Sequence, residues 1–465
     1  MHSIEPVTTP ADPLDRRPWW AGLTRYHWFV LMVAALGWLF DTFDQQLFNL
    51  GRKPAMTELL GVSPNDPLVD QYGAYATSIF IMGWAMGGLV FGILGDKIGR
   101  AKVMMMTILL YSIFTGLSSL SQGFWDFALW RFLTGLGVGG EFAVGVALVA
   151  EVMPDRARPH ALGWLQALSA VGNIGAALTN IALGIAEGEG RLGFSAWRVM
   201  FVIGALPALL AILIRARLKE PERWQQSVAD GSIKNAGSLR ELFGDPRWRK
   251  NAIVGLLLAF AGVVGLWGIG FFSFDFVRTI FRQHYEAQGL PPEEIGGKLT
   301  RLVGYVSLLQ NIGGFFGIYA FSRITHHIGR KPAFLIAFIL AIFSTAGTFW
   351  FLNDFYDVFW MIPGMGFCQL MLFGGYAIYF PELFPTRLRS TGTSFCYNVG
   401  RFVAAIGPFT MGYLIKDVFT GTSTPNSEQL IHAWRLTGVT MCGFFLIGLI
   451  ALPFAPETKG KPLPE

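Results

Sequence analysis

The sequence has 465 residues, of which 52% are hydrophobic and 14% are charged, and its formal net charge is +5. This composition is typical of a polytopic membrane protein, because about 20 apolar residues cross a hydrocarbon core of roughly 30 Å. It leaves no length for a soluble domain, and the positive excess gives no reason to expect nucleic-acid binding.

The apolar residues form twelve long runs. The runs are centred near Ala35, Gly83, Leu109, Gly139, Val171, Leu206, Gly265, Gln310, Ala341, Met371, Ala404 and Phe445. Each run is long enough to cross a membrane as a helix. The sequence therefore predicts an all-α membrane protein with twelve transmembrane helices.

Positive charge is spread unevenly among the connections. The first 25 residues lack a signal-peptide core and end in basic charge, and the connection after run six carries nine Lys and Arg residues. The links near Ser121 and Asn353 carry none. The positive-inside rule then predicts that both termini are cytoplasmic, in a bacterial inner membrane.

Run one contains two carboxylates, in the stretch FDTFDQQ that begins at Phe40. At 1.5 Å per residue, Asp44 lies about 24 Å across from the inner side, and Arg131 in run four lies about 9 Å below the outer edge. Asp41, Asp44 and Arg131 thus fall at similar depth, where a charge should face the bundle interior and be paired. We expect at least one aspartate to be a proton site whose affinity Arg131 sets. The alternative is an interfacial cap or a static ion pair.

Two motifs recur half a chain apart. GILGDKIGRAK returns as SRITHHIGRK after 230 residues, and AEVMPDRAR returns as PELFPTRLR after 231 residues. This repetition predicts two pseudo-symmetric halves of six helices each. We expect a tail at 1–25, a first half at 26–216, a basic linker at 217–250, a second half at 251–454 and a tail at 455–465.

A buried charge without a counterpart in the other half is a better site candidate than a repeated one. Asp44 has a possible counterpart in Asp275, whereas the equivalent positions of Arg131, Glu141 and Arg401 are Ile362, Leu372 and Ala170. Glu141, in the cytoplasmic part of run four, is a candidate for a second proton site or for the partner of another buried charge.

Arg401 lies roughly 15 Å into run eleven, near the midplane of the membrane and between the two predicted halves. A planar guanidinium there is suited to bidentate binding of a carboxylate, although Arg401 could instead pair with Glu141 or with another carboxylate of the other half. Other polar residues expected near the midplane are Tyr397, Asn398, Gln310, Asn311, Gln369 and Tyr376.

The repeated motifs carry a family resemblance. GILGDKIGRAK resembles the loop signature of the major facilitator superfamily, and RFLTGLGVGGE, LKEPERW, PELFPTRLRSTG and PETKGKP are similar to its sugar-porter and metabolite:proton-symporter branches. The form Asp41-Thr42-Phe43-Asp44 looks more like aromatic-acid and sialate symporters. The resemblance implies transport by alternating access, with Asp44 and Arg131 as the proton-coupling pair.

The resemblance also implies a cytoplasmic gate, a charge network that holds the outward-open state. Its predicted members are Asp96, Arg100, Glu151, Arg158, Arg330, Glu382 and Arg389. In the second copy His326 and His327 replace Asp96 and Lys97, so that side of the gate is either held more weakly and in a pH-dependent way or simply carries solvated histidines.

Four alternatives remain beside an organic-acid transporter. A sugar transporter shares most loop motifs, but run seven lacks the paired glutamines of sugar porters. A drug:proton antiporter would show a Gly-Pro motif in run five, where there is no proline. A receptor would normally add a long cytoplasmic domain, and an enzyme would need a nucleophile motif or metal-ligand histidines at i, i+4.

We therefore predict a proton-coupled symporter of a small mono- or aromatic carboxylate, with a proton-coupled or facilitative sugar or polyol transporter as the alternative. Its expected partners are the substrate, protons and membrane lipid, without nucleic acid, metal or cofactor. We expect it to work as a monomer and not to be an enzyme.

Overall fold

The computed structural model describes residues 18–62, 67–209, 214, 217–231, 236–270, 272–404, 410, 413–420 and 427–464. In this part of the chain the α-helices, numbered in order, are α1 Arg25–Leu60, α2 Pro67–Ile98, α3 Arg100–Ser118, α4 Phe124–Val152, α5 Arg158–Gly188, α6 Ala196–Ile203, α7 Glu222–Ala229, α8 Leu239–Gly244, α9 Pro246–Val263, α10 Phe272–Ala287, α11 Pro292–Ile328, α12 Arg330–Phe351, α13 Phe355–Tyr379, α14 Arg389–Ala404, α15 Ser427–Met441 and α16 Phe444–Ala451. Short 3-10 turns cover Phe380–Glu382, Thr386–Leu388 and Leu452–Phe454, and π-helical turns cover Val264–Gly270 and Leu414–Thr420.

Ten helical segments of the described chain are long and apolar enough to cross a membrane. They match the predicted runs one to five, seven to ten and twelve. Runs six and eleven cross positions outside the described residues, at 210–213 and 405–409 among others. The all-α membrane fold is thus confirmed, and the twelve-helix count is consistent with it.

Two glycines separate consecutive helices at the gate end of the molecule. Gly99, between α2 and α3, has φ +111°, and Gly329, between α11 and α12, has φ +96°. Only glycine adopts such angles readily, so these turns fix how each helix pair reverses. Glu220 accepts hydrogen bonds from the backbone N–H groups that start α3, and Glu457 does the same for α12.

Close backbone contacts hold helix pairs together within each sequence repeat. A Cβ on Gly139 of α4 would lie 2.0 Å from the Trp84 carbonyl oxygen of α2, and a Cβ on Gly317 of α11 would lie 2.0 Å from the Phe367 carbonyl oxygen of α13. Glycine therefore allows α2 to pack on α4, and α11 on α13, at a distance that no larger residue permits. This packing positions Trp84 for the site described below.

Two seams join the predicted halves. In the first seam, α2 lies against α14, and a Cβ on Gly92 would lie 2.5 Å from the Ser394 Cβ. In the second seam, α5 lies against α11, with a Cβ on Gly163 2.5 Å from the Ser322 Cβ. These seams are the surfaces that any rocking of one half against the other must change.

The seventh span is interrupted at its middle. The α-helical hydrogen-bond pattern of α9 gives way to the π-helical turn Val264–Gly270 before α10 begins. Broken helices at membrane depth are tolerated where they line a cavity. Leu266, within this turn, does line the central cavity.

Candidate functional site

A cavity of about 70 Å³ lies between the two seams, at mid-height of the bundle. Its walls come from both predicted halves. Its lining residues are Trp38, Thr42, Gln45, Gln46, Asn49, Trp84, Gln166, Ser169, Asn173, Leu266, Leu370, Phe373, Tyr397 and Arg401. Aromatic rings and one cation thus face a group of amide and hydroxyl side chains.

The amide wall was not predicted from the sequence. On α1 this wall of amides and hydroxyls follows the spacing 42, 45, 46 and 49, and on α5 the spacing 166, 169 and 173. Residues three and four apart share one face of a helix, so the residues of each set lie together on the side of their helix that faces the cavity. A polar stripe at this spacing within an apolar run was the signal that could have revealed them.

Arg401 projects from α14 into this cavity. Its guanidinium carbon lies 3.9 Å from the Trp84 ring centroid and 4.4 Å from that of Tyr397. Its Nε and Nη1 have no hydrogen-bond acceptor among the described residues, although the side chain is buried. Stacking on two rings stabilises the cation and leaves its N–H edge available.

The structure does not pair Arg401 with Glu141. Among the described residues, the ion pairs of the site do not include either of these side chains. Glu141 instead accepts a 2.8 Å hydrogen bond from Thr107 Oγ1. The pairing of Arg401 with Glu141 is therefore not realised in this conformation, whereas Asp41 of the other half is close enough to interact electrostatically with Arg401.

Only some of the predicted midplane residues reach the cavity. Tyr397 lines it, and Asn311 accepts a 2.9 Å hydrogen bond from the lining residue Asn173. The other predicted residues are buried elsewhere: Gln369 donates to Thr345, Tyr376 donates to the Leu258 carbonyl, Asn398 donates to Ser394, and Gln310 packs near Gly366 of α13.

Asp44 and Arg131 meet as the sequence predicts. Asp44 Oδ2 lies 3.5 Å from Arg131 Nη1, and both side chains are fully buried. Thr115 Oγ1 donates a 2.6 Å hydrogen bond to Asp44 Oδ1, and it also accepts from Arg131 Nη2. Phe201 covers the guanidinium at 4.7 Å. The pair is thus buried, partly bonded and screened from solvent.

Asp275, the sequence counterpart of Asp44, lies in different surroundings. It is 51% exposed and pairs with Arg278 of its own helix at 3.6 Å. The two aspartates therefore share a position in the repeat but not an environment. Burial singles out Asp44 as the candidate for proton binding.

Asp41 and Glu141 are two further buried carboxyl groups near the pair. Both oxygens of Asp41, and Oε1 of Glu141, have no hydrogen-bond partner in the described part of the chain. Glu141 Oε1 approaches α1 at Gly37, where a Cβ would lie only 2.3 Å away. Carboxyl groups arranged in this way can take up or pass on a proton without breaking an ion pair.

The predicted gate residues form a buried network in the first seam. Arg100 pairs with Asp96 and Glu151, each at 3.0 Å, and Glu151 pairs with Arg389 of the other repeat at 2.6 Å. Asp96 also accepts hydrogen bonds from the N–H groups of Ser390 and Thr391 at the start of α14. This end of the molecule is closed by charge in the first seam.

The second copy of the network is built differently. Arg330 holds Glu382 with two hydrogen bonds of 2.6 and 2.9 Å, within one repeat. Arg158 donates to the Ala150 carbonyl and pairs with Asp155 instead of bridging to the other repeat. In the described residues, no ion pair of this copy crosses the second seam.

The histidines take the place of the carboxylate cap in that seam. His326 of α11 lies 5.1 Å from His160 of α5, ring centroid to centroid, and His160 stacks on Trp19 at 5.5 Å. By the repeat offset, His160 is the counterpart of Thr391, the residue that Asp96 caps. The two seams thus make the same contact with different chemistry.

Comparison with known proteins agrees with this architecture. The family model described as Major Facilitator Superfamily matches residues 34–408. A putative metabolite transport protein of Haemophilus influenzae is 30% identical over 447 residues, covering 94% of this chain and 98% of that protein. The cis,cis-muconate transport protein of Acinetobacter baylyi is 30% identical over 344 residues, covering 72% and 77%.

A solved structure has the same fold. The proton:xylose symporter XylE bound to 6-bromo-6-deoxy-D-glucose superposes with a TM-score of 0.70 at 18% sequence identity, covering 94% of this chain and 98% of that one. At this identity the likeness concerns the fold.

Proposed function

Since the chain belongs to the major facilitator superfamily, and is thus a transporter and not an enzyme, we propose that it carries a small organic anion into the cell together with protons. Arg401 is the observation that carries this proposal. It is a buried cation at the central cavity with two N–H groups that no described residue accepts. Tyr397 and Asp41 act on this cation electrostatically, but the described residues form no close ion pair with it. A buried charge without a close ion pair is costly, and a substrate carboxylate would offset that cost.

The shape of the cavity favours a flat acid. Trp38, Trp84, Phe373 and Tyr397 bring aromatic rings to the side where Arg401 lies. A conjugated or aromatic carboxylate could bind the guanidinium edge and lie against these rings, while the amide wall bonds its far end. The similarity to a muconate transport protein supports the same class of substrate.

The proton would bind at Asp44, beside Arg131. A carboxylate 3.5 Å from an arginine gains or loses a proton when the distance or the hydration of the pair changes. Asp41 and Glu141 offer further carboxyl groups between this pair and the gate end. Inward proton movement adds roughly 2.3 kcal/mol per 100 mV of membrane potential to drive uptake.

The orientation follows from the basic connections. We place the gate end, both termini and the linker in the cytoplasm of a bacterial cell, with the transporter working as a monomer. The ion pairs of the first seam then close the cytoplasmic side, so the conformation described is one that faces outward or is occluded.

Sugar transport is the second candidate function. Gln45, Gln46, Asn49, Gln166 and Asn173 give the cavity five amides, which suit hydroxyl groups as well as carboxylates. A sugar would bind this wall and leave Arg401 as a structural cation stacked on Trp84.

Uptake by proteoliposomes with an imposed pH gradient separates the two functions. The panel is lactate, benzoate, muconate, glucose and xylose, with internal pH read by a trapped dye and passive acid leak subtracted with empty liposomes. We expect acid-dependent internal acidification that Arg401→Ala abolishes. Arg278→Ala, which removes a partly exposed arginine outside the cavity, is the matched control and should transport normally.

Acidification driven only by sugars, with Arg401→Ala as active as the control, would overturn the organic-anion proposal. Acid uptake that is equal with and without a pH gradient would keep the substrate class and overturn proton coupling.

A further inference from the structure

A second cavity, of about 440 Å³, opens on the outside of the bundle at the gate end. It lies where the start of α9 meets the end of the twelfth span. Its lining residues are Pro246, Arg249, Lys250, Ile253, Val254, Leu257, Ala451 and Phe454. It is separate from the central cavity, which shares none of these residues.

The groove changes character along α9. Arg249 and Lys250 lie at its mouth and are exposed, and among the described ion pairs neither is matched by a carboxylate. Ile253 and Leu257 follow one and two helical turns further on, about 6 and 12 Å along the axis from Arg249. The groove thus has a cationic end and an apolar length.

The apolar part must be covered by lipid. Ile253, Leu257 and Phe454 are 46%, 37% and 60% exposed, and all three lie on spans that cross the membrane. Acyl chains are the only apolar solvent that such a surface meets. Whatever lipid lies there brings its headgroup to the level of the two cations.

We propose that this groove is a binding site for an anionic phospholipid, with its phosphate at Arg249 and Lys250 and one acyl chain along Ile253, Leu257 and Phe454. Each cation near a headgroup adds roughly a fivefold preference for an anionic lipid. The proposal rests on the membrane fold and not on the identity of the transported substrate.

The site is tied to the gate. Asn251, next to Lys250, donates a 2.9 Å hydrogen bond to the Leu383 carbonyl, directly after the turn that holds Glu382. A bound lipid that immobilises the start of α9 therefore also stabilises the backbone beside Glu382.

Native mass spectrometry of the detergent-purified full chain tests the site. Phosphatidylglycerol and phosphatidylcholine with identical acyl chains are titrated separately, and the dissociation constant of the first bound lipid molecule is measured for each. We expect the wild type to bind the first phosphatidylglycerol roughly 25-fold more tightly, as two cations at about fivefold each imply, and Arg249→Gln/Lys250→Gln to reduce that preference to about twofold or less.

The matched control is Arg240→Gln/Arg247→Gln, which removes the same charge from positions outside the groove. Arg247 is occupied by stacking at 4.4 Å on Trp248. This variant should keep the preference. A loss equal to that of Arg249→Gln/Lys250→Gln would show a general effect of net charge and overturn the proposal, as would a wild type without preference.

Two further arms identify the ligand. Ile253→Trp fills the apolar part of the groove without altering the charge, and it should weaken binding of the first phosphatidylglycerol molecule. Glycerol phosphate, which has the headgroup phosphate without acyl chains, should not displace the lipid at equal concentration. Binding unaffected by Ile253→Trp, or full displacement by glycerol phosphate, would overturn a lipid site.

Discussion

Asp44 is held by one ion pair to Arg131 and one hydrogen bond from Thr115. At 3.5 Å the ion pair is longer than a good charge-assisted hydrogen bond, so neither partner is fully satisfied. Oδ2 of Asp44 and Nη1 of Arg131 both lack a hydrogen-bond partner among the described residues. A carboxylate in this position can release the arginine without disrupting a larger network.

Replacing Asp44 by Asn keeps the size and the Thr115 contact but removes the charge. We predict loss of proton-driven accumulation, by at least tenfold, with exchange of substrate across the membrane retained. Parallel assays of gradient-driven uptake and of counterflow in proteoliposomes measure the two properties.

Asp275→Asn is the matched control, because it changes the exposed counterpart in the other repeat. It should transport as the wild type does. Normal accumulation in Asp44→Asn, or an equal loss in the control, would contradict a coupling role for Asp44.

For single residues, the depth of a side chain in the membrane could be predicted from its position along the helix, whereas the direction in which it points around the helix axis could not. Counting 1.5 Å per residue brought Asp44 to Arg131 and Arg401 to the cavity. Gln369 and Tyr376 were also predicted to lie near the midplane site, but their side chains point toward Thr345 and Leu258. An almost uniformly apolar run gives no polar face from which rotation can be read.

At the scale of whole helices, the starts of α3 and α12 are each capped by a carboxylate that lies outside the membrane-spanning segments. Glu457 accepts from the N–H groups of Arg330, Lys331, Thr458 and Lys459. Partial burial raises the pKa of Glu457, but these backbone hydrogen bonds lower it more, so its pKa lies below the ordinary 4.5. The glutamate of the PETKG motif thus caps the start of α12.

A depressed pKa stabilises the fold above the unfolded value, and this contribution is lost as pH falls through the folded value. We predict that Glu457→Gln destabilises the protein by about 1 kcal/mol at neutral pH, as the loss of a helix cap does. The difference from wild type should stay constant down to about pH 4.5 and shrink below it.

Thermal unfolding of both proteins from neutral pH to about pH 3.5 measures this difference. Glu222→Gln, which changes an exposed carboxylate in the first turn of α7 without a capping bond among the described contacts, should show a clearly smaller difference, of about 0.3 kcal/mol. A wild-type advantage that persists unchanged to the lowest pH would contradict the assigned cap.

His160 and His326 form the corresponding contact of the second seam. The cations Arg156, Arg323, Arg330 and Lys459 lie near them. Protonation of both imidazoles would place like charges about 5 Å apart between α5 and α11. The pH-dependent hold suggested by the sequence remains a prediction, and these contacts give it a mechanism.

We predict that acidification from about pH 7 to about pH 4 opens the gate end of the wild type, because burial and the surrounding cations oppose a further charge here until the medium is acidic, and that His160→Asn/His326→Asn abolishes this response. The measurement is the distance between spin labels at the exposed residues Lys97, at the end of α2, and Arg247, at the start of α9, which leads into the second half. His284→Asn, a partly exposed histidine in α10, is the control that should respond as the wild type does. An unchanged response in the double variant would refute the role of the seam.

The fold of the whole molecule was largely predictable because spans are marked by local apolar length. The repeated motifs likewise placed the gate residues, since a shared offset is visible in the sequence. The sequence also indicated that the second copy of the gate differs, since His326 and His327 replace Asp96 and Lys97, but it did not predict the contact of His326 with His160 or the break of the seventh span, because each depends on packing between distant segments. The domain boundaries and the membrane orientation stay predictions.

Glu151 is the residue through which the first seam is held by charge, because it pairs with Arg100 and with Arg389 of the opposite repeat. We predict that Glu151→Gln shifts the molecule toward the form open at the gate end. Loss of one member of a buried network costs about 3 kcal/mol, which corresponds to roughly a hundredfold in the equilibrium. The same pair of spin labels would report a longer distance.

Glu382→Gln is the matched variant, because its pair with Arg330 lies within one repeat. It should lower thermal stability without lengthening the label distance. An equal lengthening in both variants would show that the gate responds to stability alone and not to the link across the seam.

The unequal seams set the order of events when the gate opens. Along α2 and α14, opening must separate ion pairs and the Asp96 hydrogen bonds, whereas along α5 and α11 it must part ring contacts and closely packed small residues. The two halves should therefore separate first between α5 and α11. An anionic substrate of the kind proposed would then leave on the flank where His160 lies, near Arg156 and Arg323, so its exit would be lateral and close to cations rather than axial.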